Sequence, residues 1–237
     1  MSGVVVGTSG WSYDHWDGVF YPENLPRSRW FDYYVERYSS VEVNYSFYRL
    51  PSERTIASWR DRTPTSFVFA LKGSRLITHQ HRLRNCEQAL TRFHERVLGL
   101  GDRLGVILWQ LPPDLTRDLT LLDDFLGMLP PDVPFAVEFR HDSWHHPSTH
   151  SVLDRHEAAL VWVSAENMSA DVTKTADFVY VRFHGLAGGY AHDYTRGQLA
   201  PWVEHLKGED GFAYFNNDAD GRAPANAALL AGLLADA

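Results

Sequence analysis

Four ionisable residues, Glu138, Arg140, His141 and Asp142, crowd the end of the otherwise apolar run PFAVEFRHDSW at residues 134–144. Glutamate can give or take a proton, and arginine can hold an anion through a planar fork of donors. The same kind of ending recurs along the chain. Tyr180, Arg182 and His184 alternate with Val179, Val181 and Phe183, and Glu42, Asn44 and Ser46 alternate with Val41, Val43 and Tyr45. Val68 and Ala70 lead to Lys72, Val106 and Leu108 to Gln110, and Phe212 and Tyr214 to Asn216. Side chains alternate with period two along a strand, so these polar residues are predicted to share one face and one end of a sheet.

Lys72, Arg140 and Arg182 outnumber Glu42 and Glu138, a slight positive excess within a chain of net charge −8. That balance suits a phosphate or carboxylate. Glu138 is the candidate general acid or base and His184 the second proton carrier, because imidazole titrates near neutral pH. The substrate-binding set is Lys72, Arg140, Arg182, Asn44, Gln110 and Asn216, joined by Trp11 and Tyr13 from the aromatic loop SGWSYDHWDGVFYPENLP at 9–26. Aromatic faces stack on sugar rings and bases alike, so this loop reads as a wall or lid, or equally as a cover that buries its own rings. The competing reading of the charges is an ion network that completes a buried layer and does no chemistry. Glu42, Glu138 and His184 together would suit a divalent metal such as Mn, Zn or Mg, opposed by the three cations; no other cofactor is expected. His141, His145, His146 and His150 in RHDSWHHPSTH match no zinc spacing and read as a solvated connection. The sequence has no GxSxG elbow, P-loop or HExxH motif.

The elements that must position these residues form a repeated rhythm. Eight β-branched or aromatic runs, VVVGTS, SVEVNYS, FVFALKG, LGVILWQLP, FAVEFR, ALVWVSAE, FVYVRFHG and FAYFNND, are each followed by a turn and usually by a helical pattern. Helices are predicted over RWFDYYVERY, SERTIASWRDR, CEQALTRFHERVLGLG, TLLDDFLGML and PANAALLAGLLA, with a weak one near residues 167–177. Eight βα units in 237 residues predict a single-domain (β/α)8 barrel of the TIM type over residues 1–237. In that architecture the polar strand ends become the floor of a pocket at the C-terminal ends of the strands. The rim loop HGLAGGYAHDYTRG, with Gly188 and Gly189, reads as mobile and carries no nucleotide fingerprint.

Hydrophobic residues at 44% and aromatics at 14% exclude a disordered chain, and the acidic balance excludes a broadly basic nucleic-acid coat. No run reaches the roughly eighteen apolar residues of a membrane span, and the N-terminus lacks a secretory pattern, so a cytoplasmic protein is expected. Cys86, the single cysteine, reads as inert packing.

The ordered motifs GTSGWSY (7–13), VEVNYSFYRLP (41–51), FVFALKGSRLITH (67–79), WQLPP (109–113), VEFRHDSW (137–144), VRFHG (181–185) and YFNND (214–218) resemble the domain of unknown function 72 family, the YecE-like proteins. The resemblance runs from near the first strand to the last helix. It implies a TIM barrel and supplies no activity. Similarity of such barrels to endonuclease IV and xylose isomerase implies DNA or sugar chemistry, yet this sequence shows no carboxylate and histidine ring rich enough for three metals. Three readings stay open. The first is an enzyme, a hydrolase or isomerase, using acid/base catalysis on a small anionic ring-bearing substrate such as a sugar phosphate or nucleotide derivative. The second is a nucleic-acid-binding or repair-type protein. The third is a non-catalytic binder of a small molecule.

Overall fold

The structure, a computed structural model, describes residues 3–166, 168 and 170–237. Strands and helices follow one another as β1 (Val4–Thr8), α1 (Arg27–Val35), β2 (Ser40–Val43), α2 (Tyr45–Tyr48), α3 (Glu53–Asp61), β3 (Val68–Lys72), α4 (Glu87–Val97), β4 (Leu104–Gln110), α5 (Leu119–Gly127), β5 (Phe135–Glu138), α6 (Pro147–Arg155), β6 (Ala159–Ala165), β7 (Val179–Gly185), α7 (Arg196–Leu206), β8 (Gly211–Phe215) and α8 (Ala223–Ala235). The strand order is β1-β8-β7-β6-β5-β4-β3-β2. A parallel bridge between Ser9 and Glu42 then connects the end of β1 to β2. This is the (β/α)8 barrel that the alternation of strands and helices predicts. Among the described residues no helix is long and apolar enough to cross a membrane.

The chain packs as two units: the chain through Glu42 with Trp162–Val172 and Phe178–Ala237, and Val43–Val161 with Thr173–Asp177. In the first unit, β1, β8 and β7 pair in parallel with Val5, Phe212 and Tyr180 in one register line and Gly7, Tyr214 and Arg182 in another. The predicted row of β7 and β8 is therefore a shared face. Gly7 marks a close approach: a Cβ there would lie 2.4 Å from the Ser40 carbonyl oxygen. At this point the buried Tyr34 hydroxyl accepts from the Thr8 backbone N–H at 3.0 Å and donates to the Ser40 carbonyl at 3.0 Å. One α1 side chain thus ties β1 to β2.

In the second unit the register of β3, β4 and β5 aligns Lys72 with Leu108, Leu108 with Ala136, and Gln110 with Glu138. The predicted polar endings share one face here too. The opposite faces carry Phe69, Trp109 and Val137, which are buried with Phe93 of α4 and Phe125 of α5. Burial of this apolar surface stabilises the unit by about 25 cal/mol per Å².

Three helices escaped the sequence reading: the short α2, which follows directly on β2, and α6 and α7. His150 sits in α6 and not in a solvated connection: Pro147 opens the helix, and His146 Nδ1 accepts from the Ser148 backbone N–H at 3.1 Å. The α7 helix begins with a Thr195–Gln198 capping box and tolerates an internal Pro201, because Leu199, Trp202, Val203 and Leu206 are buried along it. The weak helix expected near 167–177 is not formed by any described residue of that stretch; Asn167 and Ser169 lie outside the described residues. Thr175 instead accepts from the Leu160 N–H at 2.8 Å and donates to the Ala158 carbonyl at 2.6 Å, which ties it to the start of β6.

His94 on α4 is buried and stacks on Trp109 with ring centroids 6.3 Å apart, and its Nε2 has no hydrogen-bond partner among the described residues. Burial holds its imidazole below the ordinary value of 6.5, while the Asp132 charge pulls the other way. The unfolded chain therefore takes up this proton first, and stability should fall as pH drops below 6.5 until the folded-state value is passed. Urea midpoints measured across that range should show a shallower fall for His94→Leu than for the natural chain. An identical slope would assign the acid sensitivity to other groups.

Candidate functional site

The first unit places an ion pair at the strand ends. Glu42 and Arg182 are 0% and 1% exposed, with Arg182 Nη2 donating to Glu42 Oε1 at 2.7 Å. The same Oε1 accepts from Ser9 Oγ at 2.7 Å, and Oε2 accepts from the Tyr180 hydroxyl at 2.7 Å. Burial alone would push this carboxyl up. The Arg182 charge and the hydrogen bonds from Arg182, Ser9 and Tyr180 outweigh it and hold Glu42 below the usual carboxylate range. Burial, followed by the Glu42 charge, pushes the Tyr180 hydroxyl well up, so it remains a donor.

His184 sits beside this pair. Arg182 Nη1 lies 3.5 Å from His184 Nε2, and the Asn216 side-chain amide lies 3.1 Å from Nδ1. The atom facing Nδ1 is the Asn216 amide nitrogen, so both ring nitrogens face donors, and a neutral imidazole can accept from only one of them at a time. Above them Tyr190, 54% exposed, stands edge-on to His184 with centroids 6.2 Å apart. The loop that carries it turns at Gly185, with φ of +96°, where a Cβ would fall 1.8 Å from the Gly189 carbonyl oxygen. Only glycine fits there.

The aromatic loop of residues 9–26 is largely a cover for its own rings. Trp16 and Tyr21 are buried, Tyr21 stacks on Trp30 at 4.7 Å, and Trp11 packs against Phe31 at 4.7 Å. Tyr13 reaches towards the ion pair, its hydroxyl donating to the Ser9 carbonyl at 2.5 Å.

In the second unit, Lys72, Gln110, Glu138 and Arg140 gather at the ends of β3, β4 and β5. Glu138 is fully buried and paired with Arg140, whose side chain is 21% exposed. Lys72 directs its ammonium over the Phe47 ring, 4.3 Å from the centroid, and Gln110 is half-buried. Asn44 does not follow the strand alternation predicted for it: β2 ends at Val43, and Asn44 takes helical angles at the start of α2. Ser46, also past the strand end, is buried and donates to the Lys72 carbonyl at 2.7 Å.

The segment after β3 holds residues that the sequence reading passed over. Leu76–Gln80 forms a wide π turn, a geometry often kept at functional sites, and left-handed backbone follows at Arg82, Leu83 and Asn85. His79 stands edge-on to Phe47 at 5.0 Å and shares a 2.8 Å hydrogen bond with Thr78 Oγ1. Burial, then the charges of Lys72, Arg75 and Arg82, hold its imidazole below the ordinary value, with Asp114 opposing them. The available signal was Arg75 and His79 set four apart directly behind a strand ending in lysine.

The histidine-rich stretch does local work. His141 Nδ1 accepts from the Ser143 N–H at 3.1 Å, as His146 does for Ser148, so both cap turns. Among the described residues no three His, Cys, Asp or Glu side chains are grouped to hold a metal ion.

A model of the family described as "Protein of unknown function DUF72" matches residues 5–237. The chain belongs to this family. The UPF0759 protein YunF of Bacillus subtilis is 26% identical over 98% of this DUF72 chain and 94% of its own length. The UPF0759 protein YecE of Escherichia coli K12 is 32% identical over 141 residues, 58% of this chain, and the match spans about half, 48%, of YecE. Among solved structures, a DUF72 family protein of Thermotoga maritima superposes with a TM-score of 0.88 at 28% identity, covering 98% of this chain and 99% of that one. A DUF72 family protein of Enterococcus faecalis reaches 0.84 at 20% identity, covering 98% and 95%, which supports the barrel fold.

Truncating Glu42 would leave Arg182 buried without its carboxylate, so Glu42→Ala should lower the unfolding free energy by roughly 3–5 kcal/mol. Because the folded carboxyl is held down, the pair's contribution is present above the ordinary value of 4.5 and is lost as pH falls through the folded value. Replacing both partners, Glu42→Leu with Arg182→Met, should recover most of the loss. Urea unfolding of the three chains checks this, and a Glu42→Ala cost under about 1 kcal/mol would refute the pair's structural weight.

Proposed function

We propose that this chain is an enzyme of the hydrolase or isomerase type. It acts by acid/base catalysis on a small anionic, ring-bearing substrate, a sugar phosphate or nucleotide derivative, at the ends of β3, β4 and β5. The supporting observation is the set of cations behind β3: Lys72, Arg75 and Arg82 surround His79, Arg82 being paired with Asp114, in a chain whose net charge is −8. A local positive field within an acidic protein concentrates an anion without attracting polyanions to the whole surface. Lys72 and Arg140 hold the anion, and Gln110, paired in register with Glu138, supplies an amide to the substrate's hydroxyls. Glu138 carries the proton. Its burial against Arg140 means that the guanidinium must shift towards the substrate before the carboxylate can act. A cytoplasmic setting belongs to the same reading.

A second reading, single-stranded nucleic-acid binding, draws on the exposure of Tyr45 and Tyr48, 47% and 76%, together with Leu76 at 42%. Tyr48, Leu76 and Arg92 line a cleft of about 380 Å³, where a base could stack.

A panel of sugar phosphates and nucleoside monophosphates, scored by Tm shift and then by product formation, separates these readings. The expected outcome is a ligand whose affinity drops about tenfold or more in Lys72→Met and whose turnover drops at least about 10²-fold in Glu138→Gln, with Tm little changed. A ligand bound but never converted would leave a non-catalytic binder. No hit, together with oligonucleotide affinity falling steeply with salt, at a log–log slope near −0.7 per phosphate contact, would overturn the enzyme reading in favour of the second.

A further inference from the structure

The first unit contains a histidine–carboxylate pair that none of the chemistry above employs. His15, in the loop after β1, and Asp218, three residues beyond β8, are 203 positions apart and meet at 2.9 Å between Nε2 and Oδ2. The carboxylate is built in place. Both Asp218 oxygens accept from Trp16 Nε1 at 2.9 Å, and Trp16 is fully buried among Tyr13, Phe20 and Tyr21. The Ala223 backbone N–H at the start of α8 also donates to Asp218.

The preceding residue is fixed as well. Asn217 donates to the His192 carbonyl at 2.8 Å and to Asn226 Oδ1 at 2.7 Å, and Asn226 donates in turn to Asp193 at 2.7 Å. The Asp218 side chain is 13% exposed and that of His15 is 40% exposed. A largely buried acceptor thus backs an imidazole open to solvent.

We propose that His15 and Asp218 form an acid/base dyad whose bare Nδ1 takes a proton from a hydroxyl group or a water molecule. The chemistry follows from the tautomer. Ionised Asp218 only accepts, so the His15 proton resides on Nε2 and the lone pair is left on Nδ1, which makes no hydrogen bond among the described residues. In the transfer, Nδ1 gains the hydroxyl proton and the O–H electron pair stays on the oxygen, Asp218 stabilises the imidazolium through Nε2–H without taking the proton, and the reverse transfer from Nδ1 restores the O–H bond. Burial pushes the Asp218 carboxyl up, and the bonds from Trp16 and His15 oppose that rise. A hydroxyl-bearing substrate or a water to be activated is the class such a base serves. The dyad belongs to other residues than the β3–β5 reading and stands or falls separately.

A tether with no chemistry would hold the same two loops together, so the test reads the reactivity of the nitrogen. Diethyl pyrocarbonate acylates bare imidazole nitrogens, and peptide mass spectrometry at one neutral pH gives a rate for each of the twelve histidines. His15 should react fastest. Asp218→Asn should slow His15 about tenfold while leaving the other histidines unchanged, and Trp16→Phe, which keeps the carboxylate, should retain most of the rate. If Asp218→Asn disturbs folding, ¹⁵N spectra of the natural chain decide the matter: a single Nε2–H tautomer at His15 supports the dyad. A His15 rate no higher than that of other exposed histidines, a rate unaffected by Asp218→Asn, or an Nδ1–H tautomer would overturn it.

Discussion

Burying Glu42 with Arg182 is the constraint around which the first unit is arranged. Two ions withdrawn from water cost several kcal/mol each unless every lone pair and proton is met. Much of that demand is met by Ser9 from the end of β1, Tyr180 from two residues earlier on β7, and His184 from two residues later. The strands can supply these groups only in one register, because a slip by one residue would turn Arg182 to the opposite face. The close approach at Gly7 and the Tyr34 bridge to Ser40 keep β1 and β2 near enough for Ser9 and Glu42 to meet. A pair of this kind adds little net stability over apolar packing, but it penalises every other alignment.

The second unit handles its charges differently. Glu138 is matched by Arg140 on its own strand ending, which neutralises the carboxylate locally. The cations behind β3, Lys72, Arg75 and Arg82, act instead on a histidine, opposed by Asp114, which pairs with Arg82 at 2.8 Å. One unit thus spends its arginine on internal order, and the other sets its cations around a histidine.

Period-two alternation made much of this legible in the sequence. In β5, β7 and β8 one row is apolar and the other finishes in polar residues at the strand end, and the register confirms the shared faces. The same rule failed at Asn44, because the alternation Glu42, Asn44, Ser46 continues into residues that have already left the strand for α2. Helix α7 was hidden by Gly197 and Pro201, whose poor propensity is overridden by burial of Leu199, Trp202, Val203 and Leu206. Helix α6 was hidden by histidines that looked like solvated loop but cap turns through Nδ1. The pairing of His15 with Asp218 has no local signature, since it depends on closure of the barrel between the first and last strands.

The π turn at Leu76–Gln80 makes the length of this segment matter as much as its composition. A π turn is an α turn holding one additional residue, and each residue advances a helix by about 100°. Deleting a single position between Gly73 and His79 would relax the turn to ordinary winding and swing the imidazole about a quarter of the way round, away from Phe47. The left-handed residues Arg82, Leu83 and Asn85 just downstream would have no room to absorb that rotation, as their backbone is already in a sparsely populated region. This edge of the barrel therefore admits changes of side chain more readily than changes in residue count, the reverse of what an ordinary surface loop allows.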